Sequence, residues 1–207
     1  MKPVSVKAMR PSLLSRRSII ATATGLAAAV GLGKFSRAQS EDSGLPDVAK
    51  VITRMAPTDA PAFVFFTAAG KRLTLADFAG HTLVVNLWAT WCPPCREELP
   101  TFAALAPKLK ASGILVLPIS IDSTGATAVR PYYAKQNIHT LPILLDENGD
   151  NLDALNTDGI PVTVVINPEG KMVARLDGAA DWNTPDTIAY LQSLGDSHPA
   201  SGGFTPV

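Results

Sequence analysis

The segment Trp91-Cys92-Pro93-Pro94-Cys95 follows an almost wholly apolar run, Leu83 to Trp88, and opens a stretch with helical periodicity. It holds the only two cysteines in 207 residues, so any sulfur chemistry of this chain happens there. A two-residue spacing lets both sulfurs face each other across one helical turn, close enough to form a bond and to release it. If a helix begins near Cys92, its free backbone N–H groups and the positive end of its dipole favour thiolate over thiol at that sulfur. Cys92 is then the attacking sulfur, and Cys95, shielded one turn further in, resolves the mixed disulfide. Two plainer readings compete. Half of a zinc site would need more ligands, and only His81, His139 and His198 remain, none at a ligand-like spacing. A static disulfide closing so short a loop would constrain the unfolded chain little.

The charge distribution sets the compartment. Residues 1–38 carry seven Lys or Arg and no Asp or Glu. A basic stretch precedes the Ala-rich apolar run Ile19 to Leu32, and Ser36-Arg37-Ala38 offers a cleavage point, which is the layout of an export signal. The run falls short of the ~20 apolar residues that a spanning helix needs, so cleavage and a periplasmic location are expected, with membrane anchorage if the leader is kept. Ser15-Arg16-Arg17-Ser18-Ile19-Ile20 resembles a twin-arginine motif, with Ala21 where a lysine often stands, and both the folded and the general export routes stay open. The whole chain balances 18 basic against 18 acidic residues; without the leader 11 face 18, a net −7. An acidic domain of this kind has no electrostatic footprint for nucleic acid. The 169 residues after the leader suit one domain with a core of its own, which must stand without disulfide staples.

Patterning divides that length. Residues 39–60 read as a polar linker and a short helix with Val48, Val51, Ile52 and Met55 on one face, broken by Pro57 to Pro61. Residues 61–195 form the folded domain, and 196–207, rich in Pro, Gly and Ser, a flexible tail. Within the domain, Ala62 to Thr67 and Lys71 to Leu75 predict an edge hairpin, and Leu75 to Gly80 a turn or short helix. Thr82 to Trp88 predicts a strand buried on both faces. The helix after Cys92 turns Leu99, Phe102, Leu105, Ala106 and Leu109 inward and bends at Pro100; Pro107 marks a second bend or an early end. A strand over Ile114 to Ile121, a cap at Asp122-Ser123-Thr124 and a helix over Ala126 to Gln136 follow. After the short apolar stretch Leu141 to Leu145 and a short helix over Leu152 to Leu155, two β-branched runs flank the turn Asn167-Pro168-Glu169-Gly170. Thr184 caps a last helix through Leu194. Strand, helix, strand, helix in this order places a parallel pair in the middle of an α/β sheet.

The string from Val85 through Trp91, Cys92, Pro93, Pro94, Cys95, Arg96, Glu97 and Glu98 to Pro100 resembles the active-site segment of the thioredoxin superfamily. More narrowly it is similar to the exported TlpA/ResA-like thiol–disulfide oxidoreductases, over roughly residues 63–194. The resemblance implies a thioredoxin fold: a central mixed β-sheet flanked by helices, an N-terminal β-hairpin extension and a short helical insert before the final hairpin. On its residue type alone, Pro161 reads as a first-residue or edge-strand proline. The resemblance instead makes it a cis proline facing the cysteines, with the Ile160 backbone turned towards an extended segment of a partner protein. Glu98, three residues after Cys95, matches an active-site glutamate of the family; as a solvated first-turn acid it would be no different from Glu97. A desolvated carboxyl there could take the proton of Cys95. Asn86 departs from the buried aspartate that thioredoxins carry six residues before the first cysteine, and a neutral amide cannot shuttle a proton. Trp88 reads as core, whereas Trp91, beside Cys92, reads as an exposed rim for substrate. The expected site is thus catalytic Cys92, Cys95 and Glu98, with Trp91, Pro93, Pro94, Ile160 and Pro161 for substrate, and neither metal nor cofactor.

Pro93 and Pro94 lack N–H groups and leave Cys92 few backbone donors, so the thiolate is only moderately favoured and the chain reads as a reductant or mid-potential exchanger. The resemblance implies protein substrates with cysteine pairs, a membrane-bound thiol donor that re-reduces the site, and a place in cytochrome c or copper-centre maturation. Two rivals stay open: a copper-handling dithiol protein, and a thiol peroxidase, for which Thr90 and Arg96 are a poor match to the residues such enzymes place about their cysteine.

Overall fold

The computed structural model describes residues 43–195; the expected leader, the first residues of the linker and the expected tail lie outside the described residues. The elements in chain order are α1 (Val48–Val51), β1 (Thr53–Asp59), β2 (Val64–Thr67), β3 (Arg72–Thr74), β4 (Thr82–Trp88), α2 (Pro93–Leu109), β5 (Ile114–Ser120), α3 (Ala126–Lys135), β6 (Leu144–Leu145), α4 (Asp150–Ala154), β7 (Val162–Ile166), β8 (Lys171–Asp177) and α5 (Pro185–Gly195). All eight strands join one sheet in the order β1-β8-β7-β4-β5-β6-β2-β3. β4 runs parallel to β5 and β5 to β6, whereas β4 meets β7 antiparallel. The sheet is therefore mixed, as the thioredoxin resemblance implies, with the β2–β3 hairpin at one edge.

β4 is buried at every position because both faces are covered. Leu83, Val85 and Leu87 turn to one side and pack with Phe63, Phe65, Phe78 and Ile119. Val84 and Trp88 turn to the other, where Leu99, Phe102 and Leu105 of α2 cover them. Side chains alternate along a strand, so Asn86 faces α2 and not the opposite layer. Its cross-strand neighbour on β7 is Thr163, which shares that face. One carboxamide and one hydroxyl thus sit under the helix that carries the cysteines.

Two prolines inside α2 leave carbonyls without their helical donors, and both carbonyls find side-chain hydroxyls. Pro100 cannot donate to the Arg96 carbonyl, which accepts from Tyr132 Oη at 3.1 Å. Pro107 cannot donate to the Ala103 carbonyl, which accepts from Thr140 Oγ1 at 2.6 Å. The helix runs on past Pro107 to Leu109, so Pro107 is not an early end. Both bonds also tie α2 to α3 and the loop after it.

Three expectations change. The helix read over Val48 to Met55 is a single turn, and Thr53–Asp59 is instead a strand, antiparallel to β8 with an irregular register between Arg54 and Thr58. The open edge of β8 offers this segment backbone partners, and Pro57 is tolerated because an edge strand has a side that needs no donor. Residues 39–60 are thus not merely a linker: from Val48 on they include the outermost strand. Asp122 does not cap α3, whose first turn follows Gly125 with no side-chain cap. The predicted caps at the other end hold: Thr184 Oγ1 accepts from Thr187 N at 3.1 Å, with Pro185 as first residue of α5.

Candidate active site

The cysteines stand at the end of β4, where the chain turns into α2. Cys92 is the N-cap residue, and Pro93 and Pro94 fill the first two helical positions. Cys92 and Cys95 are joined in a disulfide, their Cα atoms 5.3 Å apart. Cys92 Sγ accepts from the Cys95 backbone N–H at 3.3 Å, the donor that the third helical position supplies. The second position, Pro94, supplies none. Cys95 is 1% exposed and Cys92 only 4%, so in this state the difference in access between the two sulfurs is small.

The turn before Cys92 is pinned by a residue that reading the chain alone assigned elsewhere. The buried carboxylate of Asp122 accepts from Thr90 N at 2.9 Å, Thr90 Oγ1 at 2.6 Å and Ser120 Oγ at 2.7 Å. It fixes Thr90 two residues ahead of the N-cap and leaves Trp91 projecting, 63% exposed. Across the site, the Ile160–Pro161 peptide bond is cis, and the Ile160 carbonyl oxygen lies 3.7 Å from Cys92 Sγ. A groove of about 330 Å³ opens beside it, lined by Thr157, Gly159, Ile160, Pro161 and Gly178 among others. The Ile160 carbonyl, next to the cis Pro161, is therefore brought against the Cys92 sulfur, Trp91 stands exposed directly before it in the chain, and Pro93 and Pro94 are exposed on the adjoining turn.

Glu98 lies one turn beyond Cys95 on the inward face of α2 and is 1% exposed, unlike the exposed Glu97. Its Oε1 accepts from Trp182 Nε1 at 2.6 Å and from Ala180 N at 3.2 Å, and its Oε2 from Asn86 Nδ2 at 3.2 Å. Trp182 is in turn held by stacking on Phe102, ring centroids 4.7 Å apart, and by its own N–H to Thr101 Oγ1 at 3.1 Å. Burial without a cation raises the Glu98 carboxyl from the ordinary carboxylate range to about 8, and the three hydrogen bonds pull it back only in part. A carboxyl of that basicity is matched to a thiol, whose unperturbed pKa is about 8.5, and can exchange a proton with one at little cost. Asn86 stands where thioredoxins have an aspartate and serves this acid as a donor. Trp182 and Ala180 could not be found from spacing, since they reach Glu98 from more than eighty residues away.

Comparisons with known proteins place the chain in a family. The AhpC/TSA family model matches residues 57–175. A thiol-disulfide oxidoreductase ResA of Bacillus subtilis (strain 168) is 34% identical over 121 residues, spanning 58% of this chain and 66% of that protein. A thiol-disulfide oxidoreductase ResA of Bacillus cereus is 31% identical over 136 residues, or 66% of this chain and 76% of that one. Among solved structures, a thiol:disulfide interchange protein of the thioredoxin family from Chlorobium tepidum superposes with a TM-score of 0.53 at 26% identity, covering 67% of this chain and 99% of that chain. A thiol:disulfide interchange protein from Bacteroides sp., at 20% identity and a TM-score of 0.57, covers 70% of this chain and 92% of that one and shares the fold. With its cysteine pair at the start of α2 and a family match over more than half its length, the chain belongs to the AhpC/TSA family, as a ResA-like thiol–disulfide oxidoreductase.

Proposed function

We propose that the chain reduces disulfides of exported proteins through Cys92 and Cys95, with Glu98 as the proton acceptor of the second step. The observation that carries this reading is the buried carboxyl one turn beyond Cys95, raised to the basicity of a thiol. In the dithiol form the Cys92 thiolate attacks a substrate disulfide and expels one substrate thiolate, leaving a mixed disulfide. Cys95 then loses its proton to Glu98, attacks Cys92 Sγ, and releases the second substrate sulfur as thiolate. Two electrons pass to the substrate and the Cys92–Cys95 bond is formed. Trp91 and the Ile160–Pro161 backbone bracket the sulfur that the substrate must reach, and an extended segment can lie along the groove beside Ile160.

The reducing direction is supported by the single backbone donor to Cys92 Sγ, since a weakly stabilised thiolate makes the dithiol a better electron donor. Work outside the cytoplasm is supported by the basic, acid-free stretch and apolar run within residues 1–38, which have the layout of an export signal. There the pair needs a membrane-bound thiol donor to be re-reduced, and cytochrome c or copper-centre maturation supplies fitting cysteine-pair substrates. Replacing Cys95 with Ser and isolating what remains covalently bound to Cys92 tests roles and substrate together. The expected result is a mixed disulfide with a cysteine-pair protein. Trapping by a Cys92 variant and not by the Cys95 variant would reverse the roles; tight copper on the dithiol form without exchange, or turnover of hydroperoxide, would select one of the rivals.

A further inference from the structure

Three groups meet the Glu98 carboxyl, and all three donate to it. That set suits a carboxylate, yet the same burial favours a protonated carboxyl, whose O–H needs an acceptor. Oε1 is closed by an indole N–H and a backbone N–H, which can only donate. The proton must therefore sit on Oε2, where the only partner among the described residues is the Asn86 carboxamide. Asn86 Nδ2 also donates to Thr163 Oγ1 at 2.9 Å, while its Oδ1 is buried with no hydrogen-bond partner among the described residues. Half a turn about the last side-chain bond of Asn86 exchanges these ends without moving the backbone. Oδ1 would then accept from Glu98 and from Thr163, whose hydroxyl donates as readily as it accepts. The far end of the amide has no partner in either orientation, so the near end decides which is adopted.

We propose that Asn86, backed by Thr163, is a positioning residue whose side-chain amide reverses as Glu98 gains or loses its proton, keeping the carboxyl in one place behind Cys95 in both states. The inference rests on the reading that Glu98 takes the Cys95 proton, and it explains how one fixed pocket serves an acid and its conjugate base. An aspartate in place of Asn86 would share a proton with Glu98 and would need one of the two carboxyls to stay neutral. An amide offers a donor or an acceptor and carries no charge. The groups bonded around Glu98 are Asn86 and, behind it, Thr163 from β4 and β7, Ala180 and Trp182 from the segment before α5, and Thr101 from α2 itself, with Cys95 one turn earlier on the same helix; none of its hydrogen-bond partners among the described residues is charged.

The test is a titration of ¹³C,¹⁵N-labelled full-length protein, oxidised and reduced, followed by nuclear magnetic resonance at Glu98 Cδ and at the Asn86 side-chain amide. The expected result is one shared midpoint for both groups, and an Asn86 amide that no longer titrates in Glu98→Gln. Asn86 signals that stay flat through the Glu98 transition, or move equally in Glu98→Gln, overturn the proposal. In Asn86→Leu the pH midpoint of the resolving step should rise and its rate fall by about tenfold, the equivalent of one lost hydrogen bond to a charged group; a change in melting temperature with an unmoved pH profile would count against the proposal as a merely structural effect. The wild-type titration decides even where that variant does not fold. A shared midpoint together with full resolving activity in Glu98→Gln would uphold the amide reversal and remove Glu98 from the proton step.

Discussion

Glu98→Gln tests the energetics of the site because it keeps the shape of the side chain and removes its proton chemistry. The folded carboxyl titrates at about 8 and the exposed one at 4.5. As pH rises from 4.5, the unfolded chain gives up this proton first, and the folded protein holds it until about pH 8. The native state therefore binds more protons than the unfolded state inside that window, and stability falls with rising pH there and is level on either side. At 1.36 kcal/mol per pH unit, the gap between the two values amounts to about 5 kcal/mol over the whole window and about 3 kcal/mol at pH 7. Against a typical total of about 5–15 kcal/mol, this is a large standing cost. A glutamine keeps an oxygen for Trp182 and Ala180 and turns an amide towards Asn86, whose carbonyl can accept from it. Urea unfolding of the oxidised protein at a series of pH values, wild type against variant, isolates the effect, since every other titrating group cancels in the difference. The expected difference is within about 1 kcal/mol at the acid end, the size of one exchanged hydrogen bond, and grows steadily in favour of the variant up to about pH 8. Two curves that stay parallel across the window would show that burial does not raise the Glu98 carboxyl to the basicity of a thiol, and the proton-acceptor reading would lose its basis.

The other predictions concern the helix start, the two bends and the rim. Pro94→Ala restores an N–H at the second helical position, so the Cys92 thiol should titrate lower by about one pH unit and the pair become more oxidising by about 30 mV against glutathione; an unchanged potential would mean that backbone donors do not control this sulfur, and a wild-type value near −120 mV would refute the reducing direction. Tyr132→Phe and Thr140→Val each leave a proline-freed carbonyl of α2 to water, and each should cost about 0.5–1.5 kcal/mol in urea unfolding. Trp91→Ala removes an exposed side chain and should change stability by less than about 0.5 kcal/mol. Its exchange with a folded protein substrate should slow by about tenfold, with little change towards a small disulfide; equal slowing with both would place Trp91 in the chemistry and not at the rim.

What could be read from the chain and what could not divide along one physical line. Thr82 to Trp88, the helix after Cys92 and the last hairpin announce themselves through periodicity and turn residues, which are local. β1 does not, because its residues are almost all exposed and its strand character comes from pairing with β8, more than a hundred residues away. Asp122 reads locally as a cap because capping is a common use of an acid before a helix, and only the fold brings Thr90 to it. For Pro100 and Pro107 the expected bends were local, whereas the hydroxyls that receive the freed carbonyls come from Tyr132 and Thr140. At the site, the cysteines were plain from spacing. That Glu98 is buried and Glu97 is not follows from which face of α2 meets the sheet, and Trp182 closes over it from another element.

The proposed division of roles rests on the different surroundings of the two sulfurs, which would make the exchange directional within the pair. Cys92 answers to the backbone at the start of α2, where one donor reaches its sulfur, and to the open groove at Ile160. In the proposed mechanism Cys95 answers to Glu98, one turn further along α2, whose carboxyl burial brings to the basicity of a thiol. Had Glu98 been an ordinary ionised acid, its charge one turn away would oppose a second anion at Cys95 and hold that sulfur as thiol. A carboxyl far more basic than the thiol would already hold a proton of its own and have no room for another. With the two groups close in basicity, one proton can sit on either at similar free energy, so Cys95 becomes a nucleophile without a fully charged neighbour beside it. On the proposed mechanism, the depth at which α2 buries Glu98 sets the rate of the second step, while the prolines between the cysteines set the first.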